Sequence, residues 1–369
     1  KDPRTYIPET PGWNEIVHGM TQVPFVSLAL GPCAGMGAGR VAASHFSVMV
    51  KELSQVFVAG PPVAIALGEN VTKEELGGWK IQGQNGTVDN VVDSEADAFE
   101  AARRFLSYLP PSVHELPERT PPTDDPKRKE EFLLSIVPTD GKTPYKPRKI
   151  VEATVDRHSF FEIGHDWGRG MVCGFARIDG HPVGILAGDP FFLDGAWTAD
   201  VCDKVTRHMD LCSMFHLPVV HFVDCPGFAV GVKAETAGVT RAGVRAMTAI
   251  YQANVPVCSV VIRKAYGLAG STMMNQSKTK WRYCWPSGDW GSLPMAGGIE
   301  AAFRKELAEA EDPEALKASL YKKFEAIRSP FRTAESFLAE EIIDPRDTRP
   351  LLVDFVHHAV RITETGEFR

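Results

Sequence analysis

Short apolar runs alternate with amphipathic segments along most of the chain. The runs "HFSVMVK" and "PVVHFVDCPGF" are typical of buried strands. By contrast, "SEADAFEAARRFLSYLP" has apolar residues at helical spacing and begins at Ser94, a residue suited to cap a helix. Asp179–Gly180 separates two strand-like runs and predicts a hairpin. This alternation predicts an α/β fold with turns at the carboxyl ends of its strands.

The same pattern predicts several further elements. We expect "QVFVAGPPVAIAL" to form short strands and "TKEELGGWK" to form a helical turn that stops at Gly77–Gly78. Helices are also predicted for "TADVCDKVTRHMDLCSMFHL", "TRAGVRAMTAIYQANV", "GGIEAAFRKELAEAEDPEALKASLYKKFEAI" and "LLVDFVHHAVRI".

The segment "PPSVHELPERTPPTDDPKRKE" interrupts this pattern. It is rich in proline and charge, as linkers are. We therefore predict two domains, residues 1–125 and 126–369, which is a reasonable division for a chain of 369 residues.

A glycine-rich turn occurs twice. In "QVPFVSLALGPCAGMGAGR" a strand runs into four glycines, and in "NVPVCSVVIRKAYGLAGST" a similar strand runs into Gly267 and Gly270. An offset of 232 residues superimposes the two segments without a gap and aligns Gly35 with Gly267 and Met36 with Leu268. Besides Gly35 with Gly267, the identical pairs are Val23 with Val255, Pro24 with Pro256 and Ser27 with Ser259.

A turn of this kind between a buried strand and a helix exposes backbone N–H groups, and three uses are open to it. The first use is to bind a phosphate, but the P-loop pattern is not matched. The second is to bind a dinucleotide, but "GMGAGR" lacks the third glycine spacing of that fingerprint. The third use is an oxyanion hole, in which the N–H groups stabilise a developing enolate. A purely structural turn is the alternative, and the ungapped repeat of the flanking residues argues against it.

Composition narrows the function classes. The net charge of −7 shows no basic signature for nucleic acid. Seven cysteines, none in a Cys-x-x-Cys pair, are typical of buried thiols in a reducing compartment. No apolar run reaches the ~18 residues of a membrane span.

The chain resembles the carboxyltransferase (β) subunits of biotin-dependent acyl-CoA carboxylases, above all those of propionyl-CoA carboxylase. The resemblance rests on segments spread in family order over nearly the whole chain: "LALGPCAGMGAG", "SVMVK", "VTKEELGGWK", "FFEIGHDWGRGMVCGFARIDGHPVGILA", "LPVVHFVDCPGF", "VIRKAYGLAGSTMM", "WPSGDWG" and "IIDPRDTRPLL". It implies two crotonase-like domains in tandem, which explains the repeat. Relative to the family, the N-terminal domain is expected to be incomplete, lacking the first hundred-odd residues.

The resemblance also implies a division of labour. The N-terminal domain binds acyl-CoA, and Gly35 and Met36 match the family's N–H donors to the thioester enolate. The C-terminal domain receives carboxybiotin, and Leu268 and Ala269 match the donors to the biotin urea anion. Biotin takes the α-proton and the enolate attacks CO₂, so no side-chain base is required. Substrate-binding positions carried over in the same way are Ala34, Gly37, Gly267, Gly270 and Ser271.

Several positions depart from the family pattern. Met36 and Leu268 stand where the family has glycine, and Gly270 and Ser271 stand where it has an aromatic residue and a carboxylate. Trp290 replaces a small or acidic residue. The N–H donors survive these changes because every residue except proline has one. The acyl pocket is altered, and we expect an acyl group other than propionyl.

Cofactors and partners follow from the same resemblance. Biotin is expected on a partner chain, since this chain has no "AMKM" motif of the kind that is biotinylated. The expected partner is a biotin carboxylase with its biotin carrier, and the expected substrate is an acyl-CoA. This subunit is expected to form a hexamer. The expected location is the cytoplasm, or the mitochondrial matrix in a eukaryote. The alternatives are the carboxyltransferase subunit of a biotin-dependent decarboxylase, and a scaffold whose sites are blocked by Met36 and Leu268. An enoyl-CoA hydratase is disfavoured because no carboxylates follow the first turn.

A few other side chains allow two interpretations. Cys33 is a nucleophile or, more simply, a small residue beside a turn. Asp224 has a functional role at a strand end or caps the turn. Lys51 and Lys80 bind CoA phosphates or are solvated. His357–His358 on the last helix are expected to pack rather than bind a ligand.

Overall fold

The computed structural model describes residues 9–274, 281–292, 295–325 and 329–366. It divides into two compact units, Lys1–Leu116 and Pro117–Arg369, and each is described by itself. In the described residues, every helix is too short or too polar to cross a bilayer.

Unit 1 is built on two small parallel sheets. β1, β3 and β5 form one in the order β1-β3-β5, and β2 pairs with β4 in the other. Its helices are α1 (Trp13–Met20), α2 (Met36–Ala43), α3 (Pro61–Ala66), α4 (Lys73–Gly77), α5 (Trp79–Gln82) and α6 (Glu95–Leu106). Its strands are β1 (Val26–Ala29), β2 (Pro32–Ala34), β3 (Phe46–Val50), β4 (Gln55–Phe57) and β5 (Asn90–Val92).

Local signals explain most of these elements. Ser94 caps α6 as predicted, since its hydroxyl accepts a hydrogen bond from the Asp97 N–H at 3.2 Å. Thr72 caps α4 and completes a capping box with Glu75. The helix α6 packs on β3, where Phe105 stacks on Phe46 with ring centroids 4.6 Å apart.

The prediction that "QVFVAGPPVAIAL" contains only short strands is wrong for its second half. Gln55–Phe57 is a strand, but Pro61–Ala66 is a helix. Pro61 and Pro62 lie in the first turn of that helix, where a missing N–H costs nothing and the fixed φ of proline suits the helix. Apolar residues alone therefore do not distinguish a strand from a helix in this segment.

Unit 2 is built on an eight-stranded mixed sheet. The strand order is β13-β11-β10-β9-β8-β7-β6, with β12 paired to β10. The pairs β6–β7 and β7–β8 are antiparallel. All the other pairs, from β8–β9 to β11–β13 and including β10–β12, are parallel. The strands are β6 (Phe161–Ile163), β7 (Met171–Ile178), β8 (His181–Gly188), β9 (Val219–Cys225), β10 (Val257–Tyr266), β11 (Trp281–Cys284), β12 (Asp289–Gly291) and β13 (Glu341–Ile342).

Helices cover both faces of this sheet. The helices α7 and α16 pack on one face through Ile150 and Phe355, in a core that includes Ile185 and Phe222. Gly184 faces the opposite way, toward Cys212 of α8, because side chains alternate along a strand. The α-helices are α7 (Pro147–Thr154), α8 (Ala199–Met214), α9 (Val232–Thr236), α10 (Val239–Gln252), α11 (Gly267–Met274), α12 (Met295–Ala302), α13 (Arg304–Glu309), α14 (Pro313–Glu325), α15 (Pro330–Glu335) and α16 (Thr348–Thr365). Short 3₁₀ helices span Glu131–Leu134, Leu193–Gly195 and Pro345–Asp347.

The predicted helices of this unit match α8, α10, α16 and the α12–α14 region. Residues 326–327, the end of the predicted helical segment "GGIEAAFRKELAEAEDPEALKASLYKKFEAI", lie outside the described residues.

The predicted hairpin at Asp179–Gly180 joins β7 to β8. Both residues have positive φ, 48° and 79°, as a two-residue hairpin turn requires. The Asp156 carboxylate accepts hydrogen bonds from both of their N–H groups, at 3.1 and 2.8 Å. The Thr120 N–H donates to the Gly180 carbonyl at 3.1 Å, so the start of unit 2 lies against this turn.

That contact explains where the units divide. The predicted domain boundary at residue 125 lies after the division at Leu116–Pro117. Arg119, like Thr120, contacts the hairpin, since its guanidinium pairs with Asp179 at 2.5 Å. Residues 117–125 have the composition of a linker but make contacts inside unit 2.

The two units repeat one chain path. The 232-residue offset places the end of α1, Met20, on the end of α10, Gln252 (20 + 232 = 252). It places β1 on the first part of β10, and β2 on residues 264–266 (32 + 232 to 34 + 232). β2 pairs with β4, and residues 264–266 pair with β12. The sequence repeat is therefore also a repeat of strand pairing.

Substitution of Gly180 tests the packing of the hairpin. A Cβ at this position would overlap the Thr120 carbonyl oxygen, whereas a Cβ at Gly141, which also has positive φ, meets nothing within 4 Å. We expect Gly141→Ala to lower the free energy of unfolding by about 1–2 kcal/mol. Gly180→Ala should cost a further 1–3 kcal/mol, about the usual cost of overpacking. Denaturant unfolding of both variants measures this, and equal losses would contradict the packing of residues 117–125 on the hairpin.

Candidate functional site

In unit 1, the first glycine turn connects β2 to α2. Gly35 has φ 56° and ψ −121°, a conformation that glycine tolerates and other residues rarely adopt. Its N–H donates to the Val58 carbonyl at 3.1 Å, which extends the pairing of β2 with β4 by one residue. Met36 and Gly37 follow as the first residues of the helix, where N–H groups have no acceptor within the helix.

In unit 2, the second turn has the same form. Gly267 has φ 61°, follows the last residue of β10 paired with β12, and opens α11. A Cβ on Gly267 would lie 3.5 Å from the Ser292 carbonyl oxygen. Leu268 and Ala269 then occupy the first helical turn. The two predicted turns therefore share the positive φ, the strand pairing before it and the helix after it.

The residues after the two glycines differ in exposure. Met36 is 37% exposed and Leu268 is 57% exposed, so both side chains point out of the fold. Ala269 is fully buried. Large apolar side chains therefore stand beside both turns, each within its own unit.

Gly270 has a packing role. A Cβ at this position would overlap the Ala265 carbonyl carbon and lie 2.8 Å from its oxygen. The helix α11 thus lies directly on the end of β10, and glycine permits this approach. Ser271 is exposed on the same helix.

Asp224, at the carboxyl end of β9, is held by three hydrogen-bond donors and an ion pair. It accepts hydrogen bonds from the Tyr145 hydroxyl at 2.9 Å, the Arg263 Nε at 3.1 Å and the Lys264 N–H at 3.0 Å. The Arg263 Nη2 lies 3.1 Å from the same carboxylate. Burial raises the pKa of the Asp224 carboxyl, and Arg263 and the Lys264 N–H oppose that rise. Asp224 therefore does more than cap a turn.

Asp194 extends this cluster toward the surface. It pairs with the Lys264 ammonium and lies 3.5 Å from the Arg263 guanidinium. Leu193, Asp194 and Gly195 all have positive φ. Glycine tolerates a positive φ, but Leu193 and Asp194 are strained in it, and this strain lies at the same edge of the sheet as the second turn.

The other candidate side chains have structural contacts. The Cys33 sulfur lies 3.5 Å from the Gly31 carbonyl oxygen, and partial burial raises the pKa of its thiol, which disfavours a nucleophile. Lys51 and Lys80 lie 5.4 and 5.5 Å from the centre of the Trp79 ring, and Lys51 also pairs with Asp93. Trp290 donates to the Thr333 hydroxyl at 2.9 Å and so supports α15.

His357 and His165 each contact an aspartate. His357 contacts Asp179 at 2.8 Å, at the hairpin, which is the sheet edge opposite the second turn. The exposed His165 contacts its neighbour Asp166 at 2.9 Å, between β6 and β7. The interpretation of His357 as a packing residue agrees with its contact to Asp179.

Residues 14–365 match the family model of the carboxyl transferase domain. The chain belongs to the carboxyl transferase family. It is 34% identical over 350 residues to the propionyl-CoA carboxylase carboxyltransferase subunit of Haloferax mediterranei, covering 93% of this chain and 68% of that relative. It is 33% identical over 335 residues to the methylmalonyl-CoA decarboxylase subunit alpha of Veillonella parvula, covering 90% and 64% respectively.

A solved structure gives the same family. A transcarboxylase 12S structure, described as a hexamer with methylmalonyl-coenzyme A and methylmalonic acid bound, superimposes with a TM-score of 0.87 at 30% identity. The match covers 95% of this chain and 68% of that one. The predicted family and α/β carboxyltransferase fold are confirmed. This carboxyl transferase chain spans about two thirds of the length of the relatives it matches.

Sequence reasoning missed the partners of Asp224. Tyr145 and Arg263 lie 79 and 39 residues away from it along the chain, and no local pattern connects them. The one available signal was a charged pair, Arg263–Lys264, at the end of an otherwise apolar strand.

Substitution of Gly270 tests the close approach of α11 to β10. Gly270→Ala should lower the free energy of unfolding by about 1–3 kcal/mol, because the added methyl group has no space. Gly37→Ala is the matched control, since Gly37 also lies in the first turns of a helix but has open space around it. That control should be neutral or stabilising by up to about 1 kcal/mol. Similar effects of the two variants in thermal or denaturant unfolding would contradict the packing.

Proposed function

We propose that this chain transfers a carboxyl group to the α-carbon of an acyl-CoA, through a thioester enolate stabilised by backbone N–H groups. The observation that carries the proposal is the repeated turn: Gly35 and Gly267 both have a positive φ, 56° and 61°, and each stands at the start of a helix. The family of the chain supports the reaction class.

The first turn has the chemistry that an enolate oxygen requires. Free N–H groups at a helix start carry partial positive charge, and they are held in place before the reaction begins. One such donor is worth roughly 2.7–4 kcal/mol of barrier. The reaction therefore needs no charged side chain at the enolate oxygen.

The register of the repeat bears on which N–H groups act. Leu268 and Ala269 align with Met36 and Gly37, and the Gly35 N–H is engaged with Val58. We therefore place the enolate at the N–H groups of Met36 and Gly37. The predicted role of Gly35 as a donor would require its N–H to leave the Val58 carbonyl.

The second turn is proposed for the carboxyl donor. Biotin, when it is bound, supplies the carboxyl group as carboxybiotin. The residues fit a neutral or anionic urea oxygen, because Leu268 and Ala269 offer backbone donors at a helix start and carry no charge. Ala269 is buried and fixes the backbone, whereas the exposed Leu268 side chain borders the turn.

The acyl group is a separate question. Relatives carry names that refer to propionyl-CoA and methylmalonyl-CoA. Met36 and Leu268 place large side chains beside the two turns. Position 270 has to be glycine because a Cβ there would overlap the backbone of Ala265. We propose a CoA thioester whose acyl group differs from propionyl. Equal rates with propionyl-CoA and every other thioester in a panel would contradict this specificity.

The proposal includes partners. The biotin arrives on a carrier chain that a biotin carboxylase serves, and copies of this subunit assemble into a hexamer, as described for the transcarboxylase 12S neighbour. One alternative has specific support: the similarity to a methylmalonyl-CoA decarboxylase subunit favours the same transfer run in the opposite direction. Carboxylation of the free carrier by a carboxylated acyl-CoA, without the forward transfer, would favour that alternative.

A proline substitution at Met36 removes a single donor. Met36 is the first residue of α2, where proline is well accepted, so Met36→Pro deletes an N–H with little damage to the helix. We expect kcat for carboxyl transfer to fall about 100-fold or more. Met36→Ala is the control, because it trims the side chain and keeps the N–H. Transfer rates with a carboxylated carrier measure the effect, and equal rates for the two variants would contradict a role of this N–H.

A further inference from the structure

Strand β10 is irregular just before the second glycine turn. It pairs with β9 in regular register from Val257 to Val261, and pairing resumes only where Ala265 meets Cys225. Three residues of β10 (262–264) therefore stand opposite one residue of β9, Asp224. A bulge of this kind redirects the strand, and here the redirected end leads within three residues to Gly267.

The Asp224 carboxylate holds this bulge from the facing strand. It accepts the Lys264 backbone N–H at 3.0 Å, a group left out of the regular ladder, and it binds the Arg263 Nε at 3.1 Å. Both contacts lie inside the bulge. The shape of the strand end thus depends on one buried carboxylate, which is 1% exposed.

Asp224 is itself fixed from several sides. The Tyr145 hydroxyl donates to it at 2.9 Å, and the Arg263 Nη1 donates to the Thr143 carbonyl at 3.0 Å. The Asp224 carbonyl oxygen is approached so closely by Gly188 and Gly195 that neither position has space for a Cβ. The carboxylate therefore has little freedom to move.

We propose that Asp224 is a positioning residue, which aims the Leu268 and Ala269 N–H groups by fixing the β10 bulge; this rests on the proposed function. Asp224 makes no contact with a reacting atom in this account. Its effect passes through Lys264 and the strand end into the turn. A small change in the direction of these N–H groups slows the transfer step without weakening the binding of acyl-CoA, which is assigned to unit 1.

Asp156 provides a matched control in the same unit. It is 4% exposed, and its carboxylate accepts two backbone N–H groups and the Arg349 guanidinium at 2.7 Å. The two N–H groups belong to the Asp179–Gly180 hairpin, at the opposite edge of the sheet from Gly267. Asp156→Asn and Asp224→Asn therefore remove the same chemistry from two places, only one of which adjoins the turn.

The test compares Asp224→Asn and Asp156→Asn in the assembled protein with a carboxylated carrier. We expect Asp224→Asn to lower kcat about 10- to 100-fold, as misplacement of reacting groups does, with KM for acyl-CoA unchanged. Asp156→Asn should lose as much free energy of unfolding as Asp224→Asn does, but should keep kcat near that of the wild type. Equal kcat values for the two variants, with wild-type transfer intact, would overturn the role of Asp224 and leave the proposed function standing.

Two further outcomes are decisive. No transfer by the wild-type chain with a competent carrier would overturn the proposed function and, with it, the inference. If Asp224→Asn does not fold, Tyr145→Phe decides, because it removes one hydrogen bond to the carboxylate and keeps the ring. A several-fold fall in kcat at unchanged KM supports the positioning role, and a wild-type kcat overturns it.

Discussion

A glycine in a left-handed conformation, at the point where a strand becomes a helix, is the constraint on which the rest of this structure depends. It occurs at Gly35 and again at Gly267. A residue with a Cβ is strained there, and without the reversal the first N–H groups of α2 and α11 would not be presented at a strand end. The strands before each turn, the pairing beside them and the helix after them serve to hold that geometry.

The two units achieve this with different supports. In unit 1 the turn is tied by a backbone hydrogen bond from Gly35 to Val58. In unit 2 a buried carboxylate, Asp224, secures a bulge just before the turn, and α11 presses on the strand at Gly270. The positive φ of the glycine is thus common to both turns, whereas the contacts that support it differ. This agrees with the proposal that the N–H groups, which no side chain supplies, are the functional atoms.

The sequence predicts those parts of the fold that depend on neighbours along the chain. The cap at Ser94, the turn at Asp179–Gly180 and the repeated glycine turn each follow from a few adjacent residues. The helix at Pro61–Ala66 was missed because an apolar run has no clear period. The network around Asp224 was missed for another reason: its partners come from distant segments that only the folded sheet brings together.

The proposed reaction moves a carboxyl group onto an acyl-CoA. The most direct measurement supplies the assembled protein with a biotin carrier bearing a labelled carboxyl group and follows the label into a panel of acyl-CoAs. We expect label to accumulate on the α-carbon of one thioester in preference to the others. Label that stays on a carrier shown to be carboxylated, with every thioester in the panel, would contradict it.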